Sequence, residues 1–285
     1  MAVTTEDKKW VKVIKPGSPV FDLQLKQLWN YKDLVYLFIK RDIVVKYKQT
    51  ILGPLWYIIQ PILTSVVFTV IFGKVAKIPT DGIPPMLFYL SGLVLWTYFS
   101  QVLIVNSKTF ISNQGLFGKV YFPRIAVPIS IIISNFVKFL IQFAILIGFI
   151  IYYYAVGATI HLTVYAFYIP LLVVLTAGLS LGFGLLFSSF TTKYRDLSYL
   201  LAFGLQLWMY ATPIIYPLST LSQKNQWLLA LNPVTGIISA FKFALLGKGI
   251  FNWYYLLYSF VFMVILFFIG LILFNRVEKN FMDTV

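Results

Sequence analysis

The sequence predicts an all-α integral membrane protein of six transmembrane helices, with an amphipathic interface helix before the first span and an outer-side re-entrant hairpin between spans five and six. Three observations predict this class. Of the 285 residues, 60% are apolar and 11% charged, far from the roughly half apolar and quarter charged balance of soluble domains. Six stretches stay apolar over about the 20 residues a helix needs to cross the hydrocarbon core. The Lys and Arg residues concentrate in alternate connections between those stretches.

Taken in order, residues 1–24 are basic and polar. No apolar run precedes the first span, so no signal peptide is expected and the segment reads as a cytoplasmic tail. Residues 25–50 read as the amphipathic interface helix. Leu28, Val35, Ile39 and Ile43 share one helical stripe while Lys26, Asp33, Lys40 and Arg41 lie opposite, the pattern of a helix lying in a membrane interface. Lys32 intrudes on the apolar stripe, and a polybasic juxtamembrane anchor is the competing reading. One membrane domain occupies 51–275, with spans over 55–72, 86–105, 126–154, 164–190, 199–216 and 254–274. Residues 276–285 form a second cytoplasmic tail. No repeat of 20 to 50 residues divides the chain.

Orientation follows from the excess of Lys and Arg in cytoplasmic loops. Ten basic residues from Lys8 to Lys48 precede the first span; Lys108, Lys119 and Arg124 follow the second, Lys193 and Arg195 the fourth, and Arg276 and Lys279 the sixth. The alternate loops hold only Lys74, Lys77, Lys224, Lys242 and Lys248. Both termini are therefore expected in the cytoplasm. The apolar run 234–246, bounded by Asn232-Pro233 and Gly247-Lys248, has about 13 residues, too short to span. Counting it as a span would place Arg276 and Lys279 outside. It is expected to form the re-entrant or interfacial hairpin, packed against protein because lipid does not tolerate broken backbone.

Composition excludes whole classes of chemistry. The chain has no Cys and one His, which removes disulfides, thiolate sites, Cys nucleophiles and His metal clusters. No metal site and no catalytic residue are expected. The net charge of +14 follows the topology instead of forming the groove-tracking patch of a nucleic-acid binder. Nine Asp and Glu residues exist and none falls deep in a span, unlike the intramembrane relays of proton-coupled transporters. Gly73-Lys74, Gly118-Lys119 and Gly247-Lys248 each lack the following Ser/Thr and upstream glycine of a phosphate-binding loop, so the chain cannot hydrolyse ATP by that route.

Lys138 is the one charge expected within a span. It either contacts an anionic head group in a polar pathway or snorkels to the interface along its stem. Gly178, Gly182 and Gly184, with Ala177 and Ser180, form a small-residue face suited to close helix contact. Pro61, Pro128, Pro170 and Pro213 sit where they can kink helices and free carbonyls.

Four segments then occur in order: RDIVVKYKQTILGPLWYIIQP at 41–61, KVYFPRIAVP at 119–128, YRDLSYLLAFGLQLWMYATPIIYP at 194–217 and LNPVTGIISAFKFALLG at 231–247. Together they resemble the ABC-2 type permeases of the polysaccharide export family, which serve O-antigen, teichoic acid and capsular polysaccharide. The resemblance covers roughly residues 25–274. It implies a homodimer in a bacterial inner membrane, each subunit bound to a separate ATP-binding cassette subunit that carries ATP and Mg. It implies export of a glycan linked to undecaprenyl pyrophosphate, with export of drugs or other lipids, or glycosyl transfer, as alternatives. In that family the interface helix and the loop after span two meet the ATPase. This places Lys40, Arg41, Asp42, Tyr47 and Lys48, and residues 107–124 with Lys119 and Arg124, at the contact, unless those cations bind anionic lipid. Arg41, Lys48 and Lys138 are the head-group candidates. Sugars slide over aromatic faces, which makes Tyr57, Trp96, Tyr98, Phe99, Trp208 and Tyr210 channel candidates; interface belts or core packing is the competing role.

Overall fold

The computed structural model describes residues 29–44, 51–120 and 122–280. Every regular element among them is helical. Helix α1 (Lys32–Val44) packs across the start of α6 (Ala126–Ala155). Its Val35, Ile39 and Ile43 are half-buried while Asp33, Lys40 and Arg41 are exposed, the division the stripe predicts. Phe38 is the buried anchor, 5.6 Å from the ring of Phe122. Tyr36 and Leu37 are exposed as well, so apolar groups occupy more than one face.

Five helical segments are long and apolar enough to cross a membrane. The first runs Gly53–Val75, with α2 (Trp56–Phe68) ending in a π-helical turn. The others are α3 (Pro85–Ser107), α6, α7 (Ile169–Thr191, continuing a 3-10 turn at Val164–Tyr168) and α11 (Trp253–Asn280). Helix α11 thus continues past residue 275 into the segment expected to form the second tail. Two short helices, α4 (Thr109–Ser112) and α5 (Gln114–Phe117), connect α3 to α6.

The fifth predicted span differs in form. Helix α8 (Leu197–Tyr210) has 14 residues, about 21 Å at 1.5 Å per residue, and residues 211–216 turn instead of continuing. Pro213 accounts for the stop: it lacks an N–H, its ring clashes with the preceding turn, and it biases Thr212 away from the helical region. After it, α9 (Gln223–Ala230) and α10 (Pro233–Leu246) meet at a bend of 112°. The run 234–246, expected to form a hairpin, lies in α10, and its bend against α9 fits either a re-entrant loop or one broken span. The Asn232 side chain caps α10 by accepting from Val234 N–H at 3.1 Å, and Gly247 closes it at φ +70°, a left-handed position that suits glycine.

Helix α7 is central, packed on α3 on one side and α11 on the other. Gly178 and Gly182 meet Met263 and the Leu266–Phe267 backbone of α11, while Gly184 meets Asn106 of α3. The small-residue face is thus a packing surface, used in two directions.

Polar contacts gather at the two ends of the bundle. At one end Arg41 Nη1 donates to Asn113 Oδ1 at 3.4 Å and Arg124 Nη1 to the Glu278 carbonyl at 2.6 Å, bringing together α1, the short helices and the end of α11. At the other, Ser219 Oγ donates to Asp81 Oδ1 at 2.6 Å and Lys248 Nζ to Thr159 Oγ1 at 3.1 Å. These are the two sets of connections that the alternation of Lys and Arg separates.

Candidate transport cavity

Two cavities adjoin at α6. The inner one, about 210 Å³, is lined by Tyr57 and Gln60 of α2, Thr97, Tyr98 and Gln101 of α3, and Asn135, Lys138, Phe139 and Gln142 of α6. The outer one, about 270 Å³, is lined by Arg41 and Asp42 of α1, Val105 of α3, Ser112 and Asn113 beside α4, and Ile131, Ser134, Asn135 and Lys138 of α6. Helical periodicity explains the convergence. Positions 131, 134, 135, 138 and 142 fall on one face of α6, and 97, 98, 101 and 105 on one face of α3.

Asn135 and Lys138 border both cavities. Lys138 Nζ donates to Asn135 Oδ1 at 2.7 Å and lies 5.4 Å from the Tyr57 ring centroid. Asn135 Nδ2 donates to the Ile131 carbonyl at 2.8 Å, which orients its oxygen toward the ammonium. Lys138 therefore leans one turn back toward the α1 end, yet does so along a polar wall. Outside it, Arg41 pairs with Asp42 at 2.9 Å, donates to Asn113, and lies 4.9 Å from the Phe38 ring. The arrangement is rich in donors: an ammonium, a guanidinium, carboxamides and phenols.

The sequence-selected residues divide. Tyr57 and Tyr98 line the inner cavity with Lys138. Trp96, Phe99 and Trp208 instead pack on one another and on Phe183, with Trp208 centroids 6.3, 5.4 and 5.2 Å from those of Trp96, Phe99 and Phe183. Trp96 and Phe99 are buried and Trp208 and Phe183 half-buried, and the cluster borders neither cavity. Tyr210 is exposed at the end of α8. Lys40, Arg41 and Lys119 are exposed at the α1 end. Arg124 folds inward, with its guanidinium 5.4 Å from the Phe117 ring and 3.9 Å from the Glu278 carboxylate. Tyr47 and Lys48 lie outside the described residues.

Sequence reasoning missed the carboxamides Gln60, Gln101, Asn135 and Gln142, because it searched the spans for formal charge. Their signal was polar residues at helical spacing within otherwise apolar runs. It also misplaced Lys242. Counted as an outer-loop charge, Lys242 is 5% exposed and donates to the carbonyls of Pro213 at 2.8 Å and Ile214 at 3.1 Å, with Nζ 3.4 Å from the Phe88 ring centroid. Lys138 is therefore not the one enclosed cation. The broken end of α8 supplies carbonyls that a helix would have used, and Lys242 satisfies them. Among the described residues no group of three or more His, Cys, Asp or Glu could hold a metal ion.

Known proteins resemble this chain along most of its length. The family profile described as ABC-2 type transporter matches residues 33–246. A Klebsiella pneumoniae protein named O-antigen export system permease protein RfbA is 27% identical over 264 residues, covering 92% of this chain and 99% of that one. A Myxococcus xanthus protein of the same name is 25% identical, over 76% and 82% of the two chains. The Escherichia coli polysialic acid transport protein KpsM is 26% identical, over 84% and 91%. With most of its length matched and five helices long enough to cross a membrane, the chain belongs to the ABC-2 type transporter family.

Proposed function

We propose that this chain is the permease subunit of an ABC transporter that exports a lipid-linked polysaccharide, of the O-antigen or capsular kind, out of the cytoplasm. The observation that carries this reading is the near end-to-end likeness to permeases named for O-antigen export. The donor-rich cavity supports it, since a phosphate-bearing, hydroxyl-rich substrate needs such groups within the membrane span. ATP and Mg belong to a separate cassette subunit. It docks at the end where α1, α4 and α5 meet, with Lys40, Arg41, Asp42 and Lys119 on its side, and Tyr47 and Lys48 nearby in sequence. That end faces the cytoplasm of a bacterial inner membrane, with both termini inside.

The working unit in this reading is a homodimer. Only 17% of the first span's apolar window is buried within the subunit against 72% of the second's, which leaves α2 a face for lipid or a second copy. Cells lacking this chain test the proposal: polysaccharide should accumulate inside and disappear from the surface, and restoring the chain should restore it. Normal surface polysaccharide in its absence would rule the reading out.

A further inference from the structure

We propose that residues 77–82, in the loop between α2 and α3, act as a strap that keeps the outer end of the bundle shut, with the Asp81–Ser219 contact as its catch. The inference rests on the export reading above, which places this end outside, and adds to it a release step at named residues. Three observations carry it. First, backbone strain collects in this loop. Among the described residues, Lys77 at φ +51° and Asp81 at φ +54° are the two positions other than glycine with positive φ, a region unfavourable to any residue with a Cβ. Such strain persists where surrounding contacts hold it. The loop is pinned on both sides: Ile83 is buried and its N–H donates to the Thr80 carbonyl at 2.9 Å, while the Ile78 N–H donates to the Phe72 carbonyl at 2.9 Å.

Second, the contacts made by the strap differ from those behind it. Behind it, Lys242 and Asn232 bind the segment after α8 to α10 through Pro213, Ile214 and Thr212, and Lys242 is buried. The strap itself makes two exposed contacts with that unit: Ser219 Oγ donates to Asp81 Oδ1 at 2.6 Å, and Lys248 Nζ donates to the Gly82 carbonyl at 3.3 Å. Water replaces an exposed hydrogen bond at little net cost, whereas a buried carbonyl stripped of its donor is left unsatisfied. The end of α8 and helix α10 therefore move together, and the parting line runs between Asp81 and Ser219. Third, Ile83 on the strap side of this line and Ile214, Ile215 and Leu218 on the other side are buried, so side chains fill the bundle here. Passage of a substrate requires them to separate. Strain in the loop favours release and the Asp81 catch opposes it, the balance of an element with two positions.

The test exploits the absence of Cys from the chain. Asp81→Cys and Ser219→Cys are combined in the full chain, in inside-out membrane vesicles with its cassette partner. Mild oxidation should link the two thiols, ATP-driven glycan transport should then be largely lost, and a reductant should restore it in the same vesicles. Undiminished transport by fully cross-linked protein, or failure of the two positions to cross-link, would overturn the strap. A second measurement, on the purified protein, needs no transport and decides the matter if the reduced double variant is inactive. Leu218→Cys, at a buried position beside the catch, should react slowly with a polar maleimide. Adding Asp81→Ala, which removes the carboxylate and leaves the strained backbone, should speed that labelling severalfold. An equal rate in both backgrounds would show that Asp81 holds nothing shut. Transport through the cross-linked protein removes the strap and leaves the export reading standing, whereas absence of glycan transport by the unaltered chain removes that reading, so the two failures are told apart.

Discussion

The ammonium of Lys242 lies 2.8 Å from the carbonyl oxygen of Pro213, within the protein and beyond the point where α8 stops. One side chain of α10 thereby holds the broken end of α8, with the Ile214 carbonyl and the Phe88 ring as its other neighbours. Asn232 adds a second tie, donating to Thr212 Oγ1 at 3.0 Å. Helix α10 and the end of α8 are thus fastened together.

Lys242→Met keeps most of the volume and removes the donor. Two buried carbonyls then lack a partner, at about 1–3 kcal/mol for each unsatisfied group. Thermal unfolding of the purified protein should shift down by several degrees, and Lys242→Arg should recover part of the loss. An unchanged midpoint in the Met variant would show that these contacts contribute little.

Gly182 sets the spacing of α7 and α11, since a Cβ there would meet the Phe267 backbone nitrogen at 3.0 Å. Gly182→Val should force the helices apart and cost about 1–3 kcal/mol, the usual range for overpacking. Gly204, where an added Cβ meets nothing within 4 Å, is the control, and Gly204→Ala should leave the unfolding midpoint nearly unchanged.

Tyr98 and Trp208 should separate transport from packing. Tyr98 lines the inner cavity while Trp208 packs in the aromatic cluster. Tyr98→Phe, which removes only the hydroxyl, should reduce export in cells at normal protein abundance. Trp208→Leu should instead lower thermal stability, because large-to-small changes in packed interiors cost several kcal/mol, about 3–5 for Trp to Ala at the extreme. Comparable export and abundance for Tyr98→Phe and wild type would remove Tyr98 from the substrate path.

The chain has no Cys, so single Cys substitutions report topology directly. A Cys at Lys119 or Arg195 should react only from the cytoplasmic side and one at Asp81 or Lys224 only from outside. Labelling of the residue 224 position from the cytoplasm alone would invert the arrangement.

Much of this architecture was legible in the sequence because lipid imposes a length and a composition that few other constraints imitate. The spans at 86–105 and 126–154 match α3 and α6 within a residue or two at most ends. Asn232-Pro233 and Gly247 delimit α10 as their capping chemistry predicts. What was not legible depended on which residues meet across helices. Pro213 was visible as a kink, but nothing local showed that Lys242, 29 positions away, would satisfy the freed carbonyls. Equally, Gln60, Gln101 and Gln142 become a cavity wall only when α2, α3 and α6 converge. Trp96 and Trp208 were channel candidates because composition gives the number of rings; their packing with Phe99 and Phe183 arises only when α3, α7 and α8 meet.

The central claim is tested most directly in inside-out membrane vesicles containing this chain, its cassette partner and radiolabelled lipid-linked polysaccharide. Protection of the labelled glycan from an added glycosidase is followed with and without ATP. Export into the lumen predicts that ATP makes the glycan protected, and that vesicles lacking this chain show no such change. Equal protection with and without the chain, or the same protection without ATP, would contradict the account.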